Sequence, residues 1–287
     1  MKKLPVFLLF LTVGAVSAHA EDHFLDSNWW KTATVADVQK EIKNGADVNA
    51  RTEDGLTPLM LAAGKNPNPE VTLALIKNGA DVNARLEKGS TPLMGAALLN
   101  PNPEVILALI KNGADVKARN EFGFTPLMAA AANNPNPEVI LALIKNGADV
   151  NARTEDGLTP LMLAARDNRT PEVTLALIKN GADMNARAEY GDTPLMIAAG
   201  FNPNPEVILA LIKNGADVNA RAEYGFTLLM LAARDNRTPE VISALIKNGA
   251  NVKAQDNNGR TALDYAKDNP KIYKSKAYWE LNDLMYR

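Results

Sequence analysis

Cysteine is missing from all 287 residues. No disulfide can therefore stabilise the fold, no thiolate can serve as nucleophile or metal ligand, and no lipid can be attached through an N-terminal cysteine. Histidine is nearly missing as well: His19 sits in an apolar leader, and only His23 follows it. A Ser–His–Asp or Cys–His arrangement thus has no base to work with. There is no Gly-rich phosphate loop, because the glycines recur singly at turn positions. Positive charge is not in excess either. Without Lys2 and Lys3, 29 basic residues face 33 acidic ones, a net charge of −4, which argues against a nucleic-acid partner. Finally, no apolar run reaches the roughly 20 residues that a membrane-spanning helix needs.

The first twenty residues stand apart. Lys2 and Lys3 precede an apolar run from Leu4 to Ala18, and Ala18-His19-Ala20 supplies the small-x-small pattern of a cleavage site before Glu21. This is the grammar of a secretory signal peptide over 1–20. The expected mature chain is exported, periplasmic or secreted, and free of the membrane once cleaved near Ala20.

What fills the rest is repetition. The string NPNPEVILALIKNGADV runs from Asn100 to Val116 and returns at Asn134 and at Asn202. Thr57, Thr91, Thr125, Thr159, Thr193, Thr227 and Thr261 are each 34 residues apart, as are Gly45, Gly79, Gly113, Gly147, Gly181, Gly215 and Gly249. Six full units span 51–254, with an N-terminal capping unit at 21–50 and a C-terminal one at 255–287. A fixed period of this size signals a solenoid whose units bury their apolar faces only against each other. Each unit spells two short helices. Thr91 caps a helix opened by Pro92, Asn102 caps a second opened by Pro103, and Gly113 follows its end in a left-handed turn. The ends break the pattern as caps should: Asp37, Lys40 and Glu41 fall where inner units place Val, Ala and Leu, while Tyr278, Leu281 and Met285 recur at helical spacing near the C-terminus.

The TPLM-x-AA segments followed by NGADVNA resemble ankyrin repeats. The resemblance implies an all-α solenoid of stacked helix-loop-helix units with projecting hairpin fingers, binding proteins through its concave face. This chain departs from the family in three ways. Its period is 34 rather than 33, with the added residue in the NPNP loop. Met60, Met94, Met128, Met162, Met196 and Met230 stand where the family has His. The finger Asp survives only as Asp256, and Thr52, Leu86, Asn120, Thr154, Ala188 and Ala222 replace it elsewhere.

Chemistry finds little purchase. Carboxylates abound, so a paired-Asp site for a hydrolase is conceivable, for instance Asp167 with Asp235, but both are read as solvated loop positions. The Met column fits core filling better than copper, because helices packed 8–10 Å apart cannot converge their thioethers on one ion. Each finger Arg, from Arg51 to Arg221, precedes a Glu by two and is expected to be neutralised by it. The NRT triplets at Asn168 and Asn236 match a glycosylation pattern but are read as helix-capping sequence. No cofactor and no metal are expected.

The columns that vary among the units lie on the fingers and at the end of the first helix. Aromatics there mark the expected protein-binding residues: Phe122, Phe124, Tyr190, Phe201, Tyr224 and Phe226, since aromatic anchors dominate interface energetics. Phe124 and Phe226, just before the capping Thr, are equally readable as packing between fingers. The expected function is a non-catalytic, monomeric scaffold for another protein. A self-associating structural module is the alternative.

Overall fold

The computed structural model describes residues 23–287; the leader and its cleavage site lie outside them. The protein is an all-α solenoid of helix pairs. The first helices are Pro58–Lys65, Pro92–Leu99, Pro126–Asn133, Pro160–Asp167, Pro194–Phe201 and Leu228–Asp235. The second helices are Pro69–Lys77, Pro103–Lys111, Pro137–Lys145, Pro171–Lys179, Pro205–Lys213 and Pro239–Lys247. Each first helix packs on the first helices of the units beside it, and each second helix on its counterparts.

Local chemistry sets these boundaries. Every unit's Thr accepts a hydrogen bond at its helix start, as Thr57 Oγ1 does from the Met60 N–H at 3.3 Å, and Pro58 follows where no N–H is needed. Asn68, Asn102, Asn136 and Asn204 cap the second helices in the same way, whereas Thr170 and Thr238 hold that position without a side-chain bond. Gly79, at φ +90, ends the second helix in the left-handed region that a side chain resists.

The first helices are buried almost all round, and the second ones along a single face. One continuous apolar core runs from Phe24 to Leu281. Met196 and Met230 are part of it, whereas Met60 packs with Ala84 and Leu86, and Met162 with Ala186 and Ile197, in smaller apolar clusters of their own. At the front end, Trp30 is fully buried and its indole N–H donates to the Phe24 carbonyl at 3.0 Å. Beside it, Val35–Lys43 leaves Asp37 and Lys40 exposed on the open face. At the far end Lys276–Met285 buries Tyr278 and Leu281 and packs Met285 against the core.

The loop that lengthens the period carries a ladder of asparagines. Asn66, Asn100, Asn134, Asn168, Asn202, Asn236 and Asn269 are all buried. Asn134 Nδ2 donates to the Ala97 and Asn100 carbonyls of the unit before it, at 2.9 and 2.8 Å, and its Oδ1 accepts from the Asn136 N–H at 3.0 Å. One side chain thus satisfies the end of a neighbour's helix and shapes its own loop. Asn168 and Asn236, the asparagines of the NRT triplets, sit in this column with their amides donating to carbonyls. Neither amide is free to carry a glycan.

A second polar row runs through the fingers. Arg51 Nη1 donates to the Gly55 carbonyl of its own finger at 2.9 Å and to the Arg85 carbonyl of the next at 3.1 Å. This corrects the expected pairing with Glu: among the described residues the finger arginines bind backbone carbonyls, and no Arg–Glu ion pair closes within a finger.

Candidate binding face

A finger is a tight hairpin turn projecting ahead of the first helix. In the first, the Thr52 N–H donates to the Leu56 carbonyl at 3.0 Å and the Gly55 N–H to the Thr52 carbonyl at 2.8 Å. The residue replacing the family's Asp decides how the turn is held inside. Thr52 Oγ1 accepts from the Leu56 N–H, and Asn120 Oδ1 accepts from those of Phe122 and Phe124. Asp256 does most: it accepts two backbone N–H groups and the Tyr265 hydroxyl, the last at 2.6 Å, and these bonds hold its carboxyl below the ordinary carboxylate range.

Four of the six expected anchors stand in solvent. Phe122 is 42% exposed, Tyr190 55%, Phe201 44% and Tyr224 70%. Phe124 is corrected. It is only 7% exposed and packs with Met128, Ala132, Ala152 and Leu163 beneath the finger, so it contributes to folding rather than to a surface. Phe226 is half-buried: its ring stacks 5.4 Å from Tyr265, and the Arg234 guanidinium lies 4.6 Å above it. It forms the floor of a site more than an anchor. None of the ring contacts among the described residues joins two of the six. Phe122 belongs to the third finger, set apart by the fourth, whereas Tyr190, Phe201 and Tyr224 cluster on units five and six.

The Asp167–Asp235 pairing does not form. The two lie two units apart, and each is bound by the arginine before it, Arg166 and Arg234, at 2.7 Å. Among the described residues no group of three or more His, Asp or Glu side chains converges on a metal-sized site. None of the described helices is long and apolar enough to cross a membrane.

The sixth finger differs from the rest. Tyr224 has φ +58, and among the described finger tips this is the one non-glycine in the left-handed region. The turn closes with the Phe226 N–H on the Glu223 carbonyl at 3.3 Å, and Arg221 and Thr227 form a β-bridge behind it. The fifth finger does not reach it: Arg187 Nη1 donates at 2.8 Å to Gly191 in its own turn. By contrast, Arg51, Arg85, Arg119, Arg153 and Arg221 all donate to the following finger.

Ankyrin repeats, in a family model of three copies, match residues 33–120, 94–188, 127–222 and 195–275. The chain belongs to the ankyrin-repeat family. Its fold resembles that of the human ASB11 ankyrin repeat domain, at 27% identity and a TM-score of 0.68, over 79% of this chain and 97% of that one. No curated relative matches in sequence. Ankyrin repeats generally mediate binding between proteins and are typically non-catalytic scaffolds. In this ankyrin array the family's finger Asp and helix His are largely gone. The asparagine column and the finger arginines carry the polar ties from unit to unit.

Sequence reasoning missed three features of the face. Asp192, on the return arm of the fifth finger, is a buried charge. Arg234 stacks on Phe226. Tyr273, Trp279 and Tyr286 are exposed on the C-terminal cap. For Asp192 there was a signal: it stands in a column otherwise occupied by Leu56, Ser90, Phe124, Leu158 and Phe226.

Proposed function

We propose that this ankyrin array is a non-catalytic scaffold, exported to the periplasm and monomeric, that binds a protein partner through its fingers and the ends of its first helices. The observation that carries the reading is the exposure of Phe122, Tyr190, Phe201 and Tyr224 on those elements, with Tyr190, Phe201 and Tyr224 gathered on two adjacent units. Large exposed aromatics are costly to leave in water and typical of interface anchors. The apolar leader with its Ala18-His19-Ala20 site supports export, and the chain needs no disulfide in that compartment.

The test is capture from periplasmic extract with the mature protein and with a variant carrying Ala at Phe122, Tyr190, Phe201 and Tyr224. The variant is expected to keep its helical circular dichroism and to lose the captured protein. Equal capture by both would end this reading. Fractionation with N-terminal sequencing is expected to find Glu21 first in the periplasmic pool. Light scattering over a range of concentrations is expected to give one chain's mass throughout.

A further inference from the structure

The fifth and sixth units meet around a carboxylate with no hydrogen-bond partner. Asp192 is 7% exposed, and among the described residues no donor reaches its carboxyl oxygens. Among the described residues the charges that act on it belong to the sixth unit: Arg234 and Asp235 at the end of the first helix, and Glu223 on the finger. Arg234 is the natural candidate to satisfy it, but Arg234 is committed elsewhere. Its Nε and Nη2 donate to Asp235 at 3.0 and 2.7 Å, and its guanidinium lies 4.6 Å over the Phe226 ring. Three carboxylates therefore share one guanidinium at the root of the groove, leaving an excess of negative charge. The backbone brings these groups to one junction: a methyl on Gly191, beside Asp192, would lie 4.0 Å from Glu223 Cγ, and one on Gly200, beside Phe201, 4.0 Å from Asp235 Cβ. Phe201 and Tyr224 are exposed on the same two units, and no hydrogen bond joins the two finger tips.

Its oxygens are not sealed from solvent, yet a largely buried carboxylate that no protein donor meets is unfavourable for the fold. In this column Leu56 and Leu158 pack against apolar neighbours instead, so folding alone does not call for a charge here. The arrangement lacks a cation with N–H donors and a stem that can lie against aromatic faces. Lysine and arginine side chains have both properties.

We infer that the groove between the fifth and sixth fingers receives a lysine or arginine side chain projecting from the partner protein, with Asp192 accepting its hydrogen bonds and Phe201 and Tyr224 flanking its stem. The inference rests on the protein-binding reading above. The charge fits it: an acidic pocket selects a basic residue and rejects an acidic one.

The test pans a displayed library of random linear peptides against the mature full-length protein, retaining those lost on the Phe201→Ala/Tyr224→Ala variant. Retained peptides are then made with each Lys or Arg replaced by norleucine or citrulline, and affinities are measured against wild type, Asp192→Asn and Asp192→Leu. Leucine already stands at this position in two other units, so the last variant keeps the fold. The expected result is that retained peptides carry a basic residue, that its replacement weakens binding about tenfold, and that both Asp192 variants do the same, as loss of one charge-assisted contact predicts. Peptides that need Phe201 and Tyr224 but tolerate neutralisation of their basic residues and of Asp192 would overturn this inference and leave the aromatic face intact. If no peptide depends on the aromatics, both readings fall together.

Discussion

The fourth and fifth fingers are tied to each other at their tips; the fifth and sixth are not. Between the former, Arg153 donates to the Arg187 carbonyl at 2.9 Å and the Glu189 N–H to the Asp156 carbonyl at 3.1 Å, while Asn204 reaches back to the Arg169 carbonyl at 2.7 Å. Between the latter, Asn236 still bonds to Ala199 and Asn202, but at the base of the fingers Asn185 makes no bond to Gly215 or Asp217 like those that Asn151 makes to Gly181 and Asp183 between the fourth and fifth. In the loop between the helices Thr238 stands where the fifth unit has the reaching Asn204; at the tips Arg187 bonds only within its own turn, and Tyr224 holds the sixth turn in the left-handed region. That conformation costs about 1–2 kcal/mol in a residue other than Gly. Two junctions made from nearly the same letters thus differ in how many ties join them, and the less tied junction is where the aromatics gather. Binding sites draw on the less constrained parts of a fold, since they must admit something.

The sharpest way to probe the contrast is to remove the tie both junctions share. Asn134→Ala deletes two bonds to buried carbonyls and one from a loop N–H, for an expected loss of about 3 kcal/mol. The array should still unfold in one transition in urea. Asn236→Ala removes the same bonds where the fingertips offer no second tie, so circular dichroism is expected to resolve two transitions. A single transition for both variants would mean that the missing finger bonds do not matter mechanically.

Next in size is Asp192→Leu, expected to stabilise the protein by about 1–2 kcal/mol at neutral pH by removing a buried, unpaired charge. The effect has a pH signature. Burial, only partly offset by Arg234, raises the Asp192 carboxyl above the ordinary value of 3.8. The native state therefore takes up a proton before the unfolded chain does. The penalty is full above the raised pKa and fades as pH falls through it toward 3.8, so the gap between wild type and variant should narrow on acidification. A gap that widened instead would mean Arg234 pairs with Asp192 in solution.

The smallest effect is a repair. Thr238→Asn restores the residue that in the fifth unit caps the second helix and bonds across, through Asn204. A gain of about 1 kcal/mol is expected in thermal unfolding, together with slower amide exchange near Tyr224. A gain in stability without slower exchange there would separate the loop tie from fingertip freedom.

Most of the fold was legible because repetition turns one local reading into seven. The Thr–Pro starts, Asn caps and Gly stops each carry a short-range mechanism, and the chain states them over and over. The binding face was legible only in part, because exposure depends on what the neighbouring unit places opposite. Phe122 and Phe124 are two residues apart on one turn. The first looks outward and the second under the finger onto Met128 and Leu163, which no single unit's sequence displays. The asparagine column hid in a loop that reads as a helix stop, although Asn168 and Asn236 persist where the prolines around them change. Asp192 required knowing that Arg234 would lie on Phe226 and bind Asp235 rather than a carboxylate of the unit before.

Because Asn100, Asn134, Asn168, Asn202 and Asn236 each grip carbonyls 34 and 37 positions earlier, an inner copy spliced in or cut out whole leaves each amide facing the same acceptors. The array can therefore change length like a ladder gaining or losing rungs. The exception is the boundary behind the sixth finger, whose turn is unlike the others. Moving that boundary along the chain would move the groove with it.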